Sequence, residues 1–140
     1  MSNYVIRIHR RPSLGDFVFE KDGKEVLRTT CYWDLKHKIR AGTYKWCSAT
    51  RMARKKDSKD NTKKRKGIFI PGVLYYKEIF IHEGVPTNYD TIDAWSNGCI
   101  VLEYNDMERV WNSITPKSGW NVVVKIEDGP TWKNFIQKKF

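Results

Sequence analysis

Residues 79–104 read IFIHEGVPTNYDTIDAWSNGCIVLEY. The stretch opens within KEIFIHEG, an apolar run whose alternation predicts a strand, with Ile79, Ile81 and Glu83 on one face and Phe80 and His82 on the other. It closes on SNGCIVL, where an Asn97-Gly98 turn is followed at once by Cys99 and a second apolar run. Gly84, Pro86 and Asn88 mark residues 84–98 as a connecting loop. If the flanking strands are neighbours, His82 and Cys99 meet at their ends. A cysteine nucleophile needs access, a base, and donors for the oxyanion formed on attack. His82 is the available base, and a sharp turn at Gly98 aims the N–H groups of Gly98 and Cys99 at one point. The residue pattern alone also fits a strand, loop and strand that carry a buried cysteine and a hydrogen-bonded histidine.

The flanking sequence reads as mostly β. NYVIRIHR alternates as a strand, DFVFEKDGKEVLRTTCYW reads as a hairpin turning at Asp22-Gly23, and AGTYKWCSAT and GIFIPG are further strands. CIVLEY is either a short strand or the start of a helix. NDMERVWNSI predicts a helix capped by Asn105 or Asp106, with Met107, Val110, Trp111 and Ile114 on one face and Pro116 at its end. GWNVVVKIE predicts a strand, and TWKNFIQKKF a short amphipathic helix presenting Trp132, Phe135 and Ile136. With 140 residues, no repeat and no linker, the chain reads as one α+β domain, mostly β, with one or two short helices.

Formal charge is +10, and residues 51–66, RMARKKDSKDNTKKRK, hold nine Lys or Arg against Asp57 and Asp60. This run lacks apolar periodicity and reads as a basic loop insertion or an extended hairpin tip. Its charge implies an anionic partner such as nucleic acid, an anionic membrane or an acidic wall polymer. No aromatic residue lies between Trp46 and Phe69, which disfavours a base-stacking single-strand site. The three cysteines form no CxxC pair and suit a reducing compartment. Cys31 and Cys47 fall mid-strand as filler, and His9 and His37 sit among basic residues. No metal-ligand spacing occurs, and no cofactor is implied. The N-terminal MSNYVIRIHRR has no apolar signal-peptide core, and no apolar run approaches the roughly 20 residues of a membrane helix. Synthesis in a cytoplasm is the expectation. The oligomeric state stays open.

The pattern IHEG…SNGCIVL resembles the catalytic domain of the L,D-transpeptidases (YkuD-like). In that family a strand ends in His-x-Gly or His-Gly, and a loop leads to Ser/Thr-His-Gly-Cys and an apolar residue. His82 matches the upstream histidine, and Ser96, Gly98 and Cys99 match three of the four motif residues. KIRAGTYKW resembles the family's Pro-x-Gly-x-Tyr/Phe strand, with Gly42, Thr43 and Tyr44 in place. The resemblance spans about residues 1–127 and extends to a smaller set of phage and bacterial proteins. Asn97 stands where the transpeptidases carry a second histidine, and Val101 where many carry a substrate-contacting Arg.

The resemblance implies a β-sandwich or barrel and acyl transfer at a peptidoglycan stem peptide. Cys99 would be the nucleophile and His82 the base, with Ser96, Asn97 and Gly98 shaping the site. Glu83, Gly84, Tyr44 and Trp95 become candidate substrate contacts. Lys55, Lys56, Lys63, Lys64 and Arg65 are candidates for holding peptidoglycan or another anionic polymer. A cytoplasmically made enzyme of this kind would reach the wall after lysis or by specialised export. Two rivals remain at this point: nucleic-acid binding through 51–66, and a catalytically inactive binding or structural relative of the same fold.

Overall fold

The computed structural model describes residues 2–12, 14–33, 38–84 and 99–129. Among them run β1 (Tyr4–Arg10), β2 (Gly15–Lys21), β3 (Lys24–Trp33), β4 (Gly42–Lys56), β5 (Lys64–Phe69), β6 (Phe80–Glu83), β7 (Ile100–Leu102), α1 (Tyr104–Ser113) and β8 (Val122–Asp128). The strands close into a barrel in the order β1-β2-β3-β7-β6-β5-β4-β8. This is the mostly β architecture expected from the alternating runs. The predicted C-terminal helix at 131–140, and His37, lie outside the described residues.

Two long strands turn the corners. β3 pairs with β2 through Lys24–Cys31 and then with β7 through Tyr32 and Trp33. β4 pairs with β8 through Gly42–Cys47 and then with β5 from Ser48 onward. The register shifts between Tyr44 and Cys47, where Trp46 takes φ 61°. A bulge of this kind bends a strand and lets it pass from one sheet to the next. Parallel pairing of β1 with β8 closes the barrel.

Period-two alternation fills the interior. Ile6, Ile8, Phe17, Phe19, Ile68, Ile81, Ile100, Val122, Val124 and Ile126 all point into one core. Helix α1 sends Met107 and Val110 into it, followed by Ile114 just beyond the last turn. At ~1.5–3 kcal/mol for each large apolar side chain removed from water, this layer dominates the fold's stability. The β2–β3 hairpin turns at Asp22 (φ 52°) and Gly23 (φ 81°), the two left-handed residues that a tight hairpin turn requires.

One local expectation is decided and one is corrected. Of the two readings of residues 51–66, a loop insertion or an extended hairpin tip, the hairpin holds: 51–56 continue β4 and 64–66 begin β5, with the tip at 57–63. The tip is held by Asp57, whose Oδ1 accepts from the N–H groups of Lys59 (2.9 Å) and Asp60 (3.1 Å) and from Tyr104 Oη (2.8 Å). Burial opposes the Asp57 charge, but these donors outweigh it and hold the carboxyl below its usual range. The helix starts at Tyr104 with Glu103 at its N-cap and no side-chain capping bond. Asp106 instead accepts from Thr29 Oγ1 at 2.6 Å, which ties α1 to β3. No helix among the described residues is long and apolar enough to cross a membrane.

Candidate active site

Strands β6 and β7 are parallel neighbours, with Ile81 opposite Ile100, His82 opposite Val101 and Glu83 opposite Leu102. One step back along this register places Phe80 beside Cys99. Residues paired across parallel strands share a face, and successive residues along a strand change face. Ile81 and Ile100 therefore enter the core, while Phe80, His82, Cys99 and Val101 occupy the opposite face. Two residues along one strand and one strand across separate Cys99 from His82, roughly 8 Å between backbones. That gap lies within the combined reach of a cysteine and a histidine side chain.

Cys99 packs with Met52 and Phe80 in a small cluster apart from the main core. The cluster leaves no space at Gly67, opposite His82 in β5: a Cβ there would stand 2.9 Å from Phe80 and 3.3 Å from Met52. The Phe80 N–H donates to Cys99 Sγ at 3.3 Å, and the sulfur lies 3.9 Å from Glu78 O. Although Cys99 is only 2% exposed, it lines the floor of a cleft of about 470 Å³. Arg51, Arg54 and Lys55 of β4 form one wall. Tyr75, Lys77 and Glu78, from the β5–β6 connection, form the other.

His82 is buried, and its Nδ1 lies 2.8 Å from the carbonyl of Glu83. A carbonyl only accepts, so Nδ1 carries the proton and Nε2 of the neutral ring carries the basic lone pair. Burial is the main reason the ring's pKa falls to about 4. The Glu83 carbonyl opposes that fall, and the positive charges of Arg65 and Lys55 add to it. Cys31 and Cys47, by contrast, sit in the main core, where burial pushes both thiols up to about 12.

The other predicted site residues scatter. The Glu83 carboxylate turns away from His82, under α1, and Arg65 Nε stands 3.0 Å from its Oε1 while donating to Lys56 O. The N–H of Gly84 donates to Leu102 O at 2.8 Å and finishes the β6–β7 ladder. Tyr44 belongs to the part of β4 that pairs with β8, its hydroxyl donating to Arg40 O at 2.5 Å, and it is not part of the cleft lining. Of the basic candidates only Lys55 lines the cleft. Lys56, Lys63 and Lys64 belong to the far end and tip of the hairpin. Val101 is fully buried. Trp95, Ser96, Asn97 and Gly98 lie outside the described residues.

Met52, Phe80, Arg54 and Glu78 were not anticipated as site residues. Met52 carried a signal, being the one large apolar residue inside the basic run. No group of three His, Cys, Asp or Glu among the described residues could hold a metal ion.

The model of the YkuD L,D-transpeptidase catalytic domain matches residues 17–126. The chain belongs to this family. Similar solved structures include the helical cell shape determining protein Pgp2 of Campylobacter jejuni, at 15% identity, TM-score 0.55, covering 92% of this chain and 49% of that one. An L,D-transpeptidase of Enterococcus faecium, solved as a cysteine-to-serine mutant, has 17% identity and TM-score 0.55, covering 87% and 49%. L,D-transpeptidase 3 of Mycobacterium tuberculosis, solved with a faropenem-derived adduct, has 16% identity and TM-score 0.56, covering 89% and 60%. At these identities the structures speak for the fold. The chain spans about half to three-fifths of their lengths. No curated protein matches it.

Proposed function

We propose that the protein is a peptidoglycan-modifying acyltransferase or peptidase of L,D-transpeptidase type, with Cys99 as nucleophile and His82 as base. The supporting observation is the placement of Cys99 and His82 on one face of two paired strands, with the sulfur at the floor of a cleft, in a chain of this family.

In this reading His82 Nε2 takes the thiol proton as Cys99 Sγ attacks the carbonyl of a stem-peptide bond between a diamino-acid centre and D-Ala. The oxyanion is held by the N–H groups of Gly98 and Cys99. When the tetrahedral adduct collapses, the C–N bond breaks and the leaving amine takes the proton back from His82, leaving a thioester. An incoming amine then gives a cross-link, and water gives hydrolysis. The Glu83 carbonyl fixes the ring tautomer throughout. The cost of a buried imidazolium is offset by the negative charge it faces, first developing on the sulfur and then on the oxyanion of the adduct, so proton transfer and attack are coupled.

The test is acylation by a penem such as faropenem, followed by intact-protein mass and peptide mapping. The reading predicts one adduct on Cys99, absent in Cys99→Ala and formed at least tenfold more slowly in His82→Ala. It also predicts turnover of disaccharide-tetrapeptides by the wild type alone. Adduct formation on Cys31 or Cys47, or turnover surviving Cys99→Ala, would overturn it.

A further inference from the structure

The walls of the cleft above Cys99 are strongly and asymmetrically charged. Among the described residues, Arg51, Arg54, Lys55 and Lys77 line it with Glu78 as their only acidic companion. Arg51 is committed elsewhere: its guanidinium donates to Lys64 O at 2.7 Å and lies 5.0 Å over the Trp111 ring. Among the described residues no acid pairs with Lys55 or Lys77. Arg54 reaches across the mouth to Glu78 at 3.8 Å, with the two side chains 81% and 59% exposed. A pair that open to water is worth little and yields readily to a competing carboxylate. Glu78 itself has φ 54° and Tyr75 φ 71°, so the opposing wall is a sharply turned segment, with Glu78 meeting Arg54 of β4. Of the basic residues of the β4–β5 hairpin, Arg54 and Lys55 are thus the ones that bring uncommitted positive charge to the cleft above Cys99.

We propose that this cleft selects an acyl donor with a free carboxylate close to the scissile bond, and that Arg54 reads it by exchanging Glu78 for the substrate, with Lys55 and Lys77 supplying the surrounding positive field. The idea rests on the function proposed above and names the substrate class of that same site. Arg suits the task because its planar fork matches a carboxylate in two parallel hydrogen bonds, while each Lys acts as a point charge. In stem peptides the choice is between a free and an amidated carboxyl on the diamino-acid centre or on a γ-linked glutamyl residue. Amidation keeps the shape and removes the charge.

The experiment compares two synthetic tetrapeptides that differ only in amidation of these carboxyls. Turnover is measured on wild type, Arg54→Gln and Arg54→Lys. Binding is measured on Cys99→Ala by calorimetry at two salt concentrations. The expected result is at least a tenfold higher kcat/KM for the free acid in wild type. That ratio falls toward one in Arg54→Gln and is partly restored in Arg54→Lys. Cys99→Ala should bind the free acid more tightly, with the difference shrinking as salt rises. Preference in binding without turnover by the wild type would sink the catalytic reading and leave the carboxylate site standing. Equal handling of the two peptides in binding and turnover, or a preference for the amide, would overturn the carboxylate site.

Discussion

Cys47 and Cys99 are buried to nearly the same degree, yet they occupy different kinds of surroundings. Cys47 points into the barrel core, and its sulfur meets backbone groups of Tyr44, Lys45 and Val124. Cys99 points to the opposite face of its sheet, accepts an N–H from Phe80, shares that face with His82 and forms the floor of a charged cleft. On the proposed function, burial therefore does not separate a filler cysteine from a nucleophile. The difference lies in which face of the sheet carries the sulfur, and in what lies one strand away.

The sharpest break in this comparison is functional. Cys99→Ala is expected to lower turnover by about a thousandfold or more while leaving thermal unfolding nearly unchanged. Cys47→Ala should do the reverse, keeping turnover and losing ~1–2 kcal/mol in urea titrations. The next largest effect concerns the core-facing side of β6, the strand that carries His82. Arg65→Met strands the Glu83 carboxylate beneath α1, where it is 6% exposed, and should cost about 3 kcal/mol or more by chemical denaturation.

His82 gives a pH signature. Its pKa is 6.5 in the unfolded chain and about 4 in the fold. Between those values the unfolded chain binds the extra proton, so stability is complete above about pH 6.5, falls as pH drops through the window and levels off below about 4. The total is ~3 kcal/mol. Urea midpoints measured at pH 4.5 and 7 should diverge in wild type and come closer together in His82→Gln. A smaller effect belongs to the hairpin tip. Tyr104→Phe removes the hydroxyl bond to Asp57 and should cost ~1 kcal/mol, read as a modest fall in melting temperature.

Much of this arrangement was legible in the residues, because period-two alternation and turn chemistry are local. The Asp22-Gly23 hairpin, the strands around His82 and Cys99, and α1 with Met107 and Val110 inward all followed from such patterns. The β4–β5 hairpin was legible only as one of two readings, because its arms carry many charges and no apolar alternation marks them as strands. Tyr44 looked like a site residue by resemblance, but β4 changes sheets at the bulge after it and leaves it on the β8 side. Glu83 followed the expected alternation, and nothing local signalled that Arg65, 18 positions earlier, would meet it under the helix. Asp106 was drawn from the predicted cap by Thr29, a partner 77 residues away. In each case the missing information was a long-range pairing.

The most direct test of the Cys99–His82 pair is site-resolved alkylation of the folded protein with iodoacetamide between pH 5 and 9, in wild type and His82→Ala. The account predicts that Cys99 is modified far faster than Cys31 and Cys47, and that replacing His82 slows Cys99 alone. An inert Cys99 in a folded chain, or a Cys99 rate indifferent to His82, would contradict it.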